Sequence, residues 1–82
     1  MPHDPVLAHG MHLFYQKGCQ YCHSMHGEGG ITGPELSTIG RNWTEQQLQI
    51  QIVNGGDDMP AYGGMLTKEE LHALVKYLKA QQ

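Results

Sequence analysis

Cys19-Gln20-Tyr21-Cys22-His23 is the stretch on which the reading of this sequence turns. Two thiols one helical turn apart can add to the two vinyl groups of a haem while the adjoining imidazole reaches the iron, so C-x-x-C-H reads as an attachment site for a c-type haem. Zinc is the chemical rival, with Cys19, Cys22, His23 and His26 as four ligands of suitable type. Structural zinc sites, however, separate two ligand pairs by roughly a dozen residues so that the pairs can converge, and here all four candidates lie within residues 19–26. A thioredoxin-like redox pair would need a βαβ context, and a disulfide across so short a loop would constrain the unfolded chain little.

The rest of the chain asks for such a group. Its 82 residues make a single domain, 1–82. With 3 Val, 4 Ile, 8 Leu and 1 Phe it has a thin aliphatic core, and 11 Gly and 4 Pro demand a loop-rich backbone. Charged residues are only 16% and the net charge is −3, so the composition is not that of a disordered chain. A small domain with so little to bury is usually completed by something other than aliphatic packing, and a covalent haem would supply it. Five Lys and Arg against eight Asp and Glu leave no basic stripe for a phosphate backbone, so nucleic acid is not an expected partner. No run approaches the roughly 20 apolar residues of a membrane span, and Met1 to Gly10 lacks the basic start and apolar middle of a signal peptide. Membrane association would then run through a tether or a partner outside this chain.

Periodicity and capping predict an all-α architecture of three principal helices joined by long loops. Asp4-Pro5 opens a helix over 5–17, in which Val6, Gly10 and Leu13 form one inward stripe and Leu7, Met11 and Phe14 the next. Gly18 stops it. Residues 24–40 hold too many breakers for helix or strand and read as a long ordered loop. Thr44 with Gln47 forms a capping box for a second helix whose buried face is Leu48, Ile52 and Val53, ended by Gly55-Gly56. After a second breaker-rich loop, Thr67 and Glu70 cap the last helix, with Leu71, Leu74, Val75 and Leu78 at i, i+3, i+4, i+7.

A haem iron that passes electrons without binding substrate needs a ligand besides His23, and methionine is the usual partner in cytochromes c. Met59 is the first candidate, because Pro60 fixes its loop and it lies about forty residues beyond the attachment site. Met65 is the second, whereas Met11 and Met25 read as core filler. His3, His9, His12, His26 and His72 read as solvent-facing or hydrogen-bonded. His26 would compete for iron only in an unusually folded loop.

Taken together, these residues resemble the small bacterial class I cytochromes c over nearly the whole chain. Gly10-Met11-His12-Leu13-Phe14 is similar to the family's N-terminal helix motif, Gly33-Pro34-Glu35-Leu36 to its loop motif, Met59-Pro60 to its axial methionine and Leu74-Val75-Lys76-Tyr77-Leu78 to its closing helix. The resemblance implies a class I cytochrome c fold and single-electron transfer by a carrier that is not itself an enzyme. It implies one haem c attached through Cys19 and Cys22, axial ligation by His23 and Met59, and a Pro34 carbonyl that accepts a hydrogen bond from the other nitrogen of His23. It also implies close crossing of the first and last helices at Gly10, where Phe14 and Tyr77 would pack.

The lysine ring of mitochondrial relatives is missing, since the cations are Lys17, Arg41, Lys68, Lys76 and Lys79, and Asp57-Asp58 precede Met59. The resemblance implies a haem edge ringed by Gln20, Tyr21, Ala61, Tyr62, Gly63 and Gly64, all uncharged, so the expected partners are redox proteins that dock on that edge; the other reading of Tyr21 and Tyr62 is that they shield the haem from water. A monomer in the periplasm or on the outer face of the bacterial cytoplasmic membrane is expected. Two alternatives stay open: the haem domain of a membrane-bound oxidase or reductase, and a zinc-binding interaction domain.

Overall fold

A computed structural model describes residues 4–56 and 59–82. The first helix, α1 (Pro5–Gln16), starts where the Asp4 carboxylate accepts the Val6 amide at 2.8 Å and Pro5 fills the first turn, where no intrahelical N–H is needed. It ends at Lys17, and Gly18 then adopts φ 82, a left-handed turn that only glycine takes without strain.

The last helix, α4 (Lys68–Lys79), carries the predicted box: Thr67 accepts the Glu70 amide at 3.1 Å while Glu70 accepts the Thr67 amide at 2.9 Å. The two helices pack more extensively than any other pair of elements. They cross at Gly10, where a Cβ would stand 2.5 Å from Cβ of Tyr77 and would press on the Ala73 carbonyl. Beside the crossing, the Phe14 and Tyr77 rings meet with centroids 5.9 Å apart. Val6 departs from expectation. It remains 38% exposed because the first turn of α1 overlies only a shallow groove at the start of α4, shared with His9, Lys68 and His72.

Helix α3 (Glu45–Asn54) closes the core from a third side with Leu48 and Ile52, both buried, while Val53 is only half-buried. Its box of Thr44 and Gln47 forms as the sequence suggests, at 3.1 and 2.8 Å. Met25 is buried in the same core and Met11 packs against it.

Residues 24–40 are more regular than expected. Strands β1 (Ser24–Met25) and β2 (Glu28–Gly29) pair antiparallel, Ser24 with Gly29 and Met25 with Glu28. Their two-residue turn, His26-Gly27, has φ 53 and 84, the left-handed geometry of a tight hairpin. Further on, α2 (Ile39–Asn42) is held from outside: the Lys79 ammonium donates to the carbonyls of Gly40 and Trp43 at 2.8 and 3.0 Å, and the Gly40 amide donates to the Gln81 carbonyl at 2.7 Å. The described chain is thus mostly helical, with three long helices as expected, a fourth short one and a two-stranded ladder in place of a purely all-α pattern. His3, Asp57 and Asp58, three residues singled out from the sequence, lie outside the described residues.

Candidate functional site

After the left-handed turn at Gly18, the chain enters a single 3₁₀ turn, Cys19–Tyr21, in which the amides of Cys22 and His23 both donate to the Cys19 carbonyl at 3.3 and 3.1 Å. This coil brings Cys19, Cys22 and His23 to the wall of one cavity of about 330 Å³, within the range of small-molecule sites. Met59, from the loop after α3, lines the same cavity, and Phe14, Leu48, Ile52, Leu74 and Leu78 supply apolar wall from three helices. No Asp, Glu, Lys or Arg is among the described lining residues.

The imidazole is oriented from behind. His23 Nδ1 donates to the Pro34 carbonyl at 2.8 Å. A carbonyl can only accept, so Nδ1 carries a proton, and in the neutral imidazole this tautomer leaves the Nε2 lone pair for a metal. Gly33 permits this approach: a Cβ there would sit 2.6 Å from Cε1 of His23, and the Gly33 amide donates to the Cys22 carbonyl at 2.6 Å. Burial in the apolar wall pushes the Cys19 thiol up to about 11, so its sulfur is neutral at ordinary pH. Burial likewise raises the phenol of Tyr62. Two sulfurs, an imidazole and a thioether thus face one apolar wall, a donor set that suits a covalently held haem.

All five residues expected at the site line this cavity: Cys19, Cys22, His23, Pro34 and Met59. Met65 does not; it is 51% exposed. His26 donates its amide to Ser37 Oγ at 2.6 Å and places Nε2 3.2 Å from Gln81 Oε1, away from the cavity lining. His9, His12 and His72 are exposed. Among the described residues no group of three or more His, Cys, Asp or Glu is arranged to hold a metal ion, which removes support from the zinc alternative.

The uncharged edge needs a correction. Tyr62, expected on it, is only 9% exposed, because its hydroxyl turns inward to the Lys17 carbonyl at 3.3 Å. Tyr21 is 79% exposed, and Ile31, which sequence reasoning passed over, is 93% exposed just after Gly30, which packs on the Tyr21 backbone. An isolated isoleucine in a glycine-rich segment was the available signal.

Gln51 and Trp43 also line the cavity and were not anticipated. Gln51 Nε2 donates to the Gly55 carbonyl at 3.1 Å and approaches Met59 Sδ at 3.8 Å. It occupies the position three after Leu48 on the inward stripe of α3, and a polar residue on an apolar stripe is the sign that could have found it.

The chain matches the family described as cytochrome c oxidase, cbb3-type, subunit III over residues 6–78. Cytochrome c-551 of Bacillus subtilis (strain 168) is 31% identical over 68 residues, 83% of this chain and 58% of that protein. Cytochrome c-555 of Methylococcus capsulatus (strain ATCC 33009 / NCIMB 11132 / Bath) is 26% identical over 81 residues, 98% of this chain and 66% of that protein. The chain therefore spans less than two thirds of either curated relative. The crystal structure of the c-type cytochrome SorU from Sinorhizobium meliloti superposes with a TM-score of 0.77 at 27% identity, covering 93% of this chain and 90% of that one.

Proposed function

We propose, because this chain belongs to the cytochrome c oxidase, cbb3-type, subunit III family and is a small class I cytochrome c, that it passes single electrons through one haem c bonded to Cys19 and Cys22 and ligated by His23 and Met59. One observation carries the reading: two thiols, an imidazole with its Nε2 lone pair free and a methionine thioether line a single apolar cavity.

When bound, the haem supplies a one-electron couple at its iron. Everything else falls to side chains of the chain. Pro34 fixes the ring of His23 and, by accepting its Nδ1 proton, raises the basicity of Nε2. Thioethers at Cys19 and Cys22 would be neutral, so the apolar wall around them need not accommodate a charge. Met59 is held by its own carbonyl, which accepts the Gly56 amide at 3.0 Å, and by the Gln51 amide near its sulfur. Phe14, Leu48, Ile52, Leu74 and Leu78 exclude water, which lowers the local dielectric and limits the solvent rearrangement that accompanies each change of charge.

Redox proteins outside the cytoplasm are the proposed partners, meeting an edge on which Tyr21 and Ile31 stand exposed. The family description also keeps a second reading in view, a haem module of a larger respiratory enzyme. No helix among the described residues is long and apolar enough to cross a membrane.

Visible spectroscopy of haem-loaded variants tests the ligand set. Met59→Ala should lose the charge-transfer band that marks ferric His/Met ligation at the red end of the spectrum, and its potential should fall; Met65→Ala should keep both. The opposite pattern would assign the ligand to Met65 and overturn the reading.

A further inference from the structure

The segment from Met59 to Tyr62 is short of anchors. Pro60 has no amide to donate and Ala61 is exposed. Its N-terminal end is tied where the Gly56 amide meets the Met59 carbonyl at 3.0 Å. Its other end is Tyr62, whose amide donates to the Ile52 carbonyl at 2.9 Å and whose hydroxyl donates to the Lys17 carbonyl at 3.3 Å. Lys17 is the C-cap of α1, so its carbonyl has no helical donor, and it stands two residues before Cys19. The phenol ring between these ties lines a small cavity with Cys19, Cys22, His23, Met59 and Pro60. One buried side chain therefore joins the methionine loop to the segment that delivers the attachment cysteines.

We propose that Tyr62 is a positioning residue for Met59: by bonding the Lys17 carbonyl it fixes the methionine loop against the end of α1 and sets how firmly the thioether is held at the site. This rests on the reading above that Met59 is the ligand. Without the hydroxyl, the Lys17 carbonyl loses its partner and the loop retains its backbone ties to Gly56 and α3 and the Gln51 amide at the Met59 sulfur. The ring of a phenylalanine would still fill the space, so the substitution isolates the bond from the packing.

The test uses the ferric, haem-loaded full chain and added imidazole, which competes with a thioether for the iron. Displacement is followed by loss of the charge-transfer band, beside thermal unfolding of the same samples. Tyr62→Phe should raise the apparent affinity for imidazole by roughly two- to tenfold, the range that one neutral hydrogen bond supports. Thr67→Ala, which removes the remote cap of α4, should lower the unfolding temperature and leave imidazole binding unchanged. If Tyr62→Phe lowers the unfolding temperature but binds imidazole as the parent does, the residue is core filler and the proposal is wrong. If the parent lacks the band, or Met59→Ala retains it, the ligand reading fails instead. Should Tyr62→Phe not accumulate, amide exchange in the parent decides: the Gly56 and Tyr62 amides should open only with global unfolding, and faster opening of that loop would overturn the proposal.

Discussion

Gln51 shows how much one side chain can contribute at this site. Its amide divides between the Gly55 carbonyl and the Met59 sulfur, so it holds the end of α3 and points the positive end of a dipole at the thioether. With Met59 as the proposed ligand, a donor on that sulfur would weaken its electron donation, and the dipole would oppose the added positive charge of the ferric state. Gln51→Leu should therefore lower the reduction potential, by at most about 40 mV if the interaction differs by roughly 1 kcal/mol between the two states. Protein-film voltammetry would read this, and an unchanged or higher potential would show that the amide serves only Gly55. At this scale the sequence was informative where chemistry is encoded locally. Cys19, Cys22 and His23 drew notice by their spacing and Met59 by its proline, and all four line one cavity. Gln51 and Trp43 drew no such notice: the role of Gln51 depends on how the loop after α3 folds back onto the helix, and Trp43 meets Lys79, 36 residues on. Tyr62 was placed on the surface for the same reason: nothing near it in sequence reveals the Lys17 carbonyl 45 residues away.

Among the elements, the three long helices were legible because each carries its own start signal and an apolar stripe. The boxes at Thr44 and Thr67 form with the predicted partners. The hairpin at Ser24–Gly29 and helix α2 were not legible. Two-residue strands show no alternation to read, and α2 has no side-chain cap; it is stitched instead by Lys79 and the Gln81 carbonyl. The crossing of α1 and α4 is where element packing is most demanding. Gly10→Ala gains about 1 kcal/mol of helix propensity, yet its methyl would meet Tyr77 and the Ala73 carbonyl, backbone that cannot yield cheaply. Overpacking of this kind costs roughly 1–3 kcal/mol, so a net loss of about 1 kcal/mol and a drop of roughly 4–8 °C in Tm are expected. A thermal scan with an equal or higher Tm would mean that the helices part without penalty.

For the whole molecule, the thin aliphatic content and the central cavity are two views of one fact. Phe14, Leu36, Leu48, Ile52, Leu74 and Leu78 are buried and line the central cavity. A group bonded at Cys19 and Cys22, as proposed, would complete that core. The most direct test is the intact mass of the chain, matured in a host that attaches c-type haem and measured under denaturing conditions. The expected mass is that of the 9.1 kDa polypeptide plus one haem; a mass equal to the bare polypeptide would contradict covalent attachment at Cys19 and Cys22.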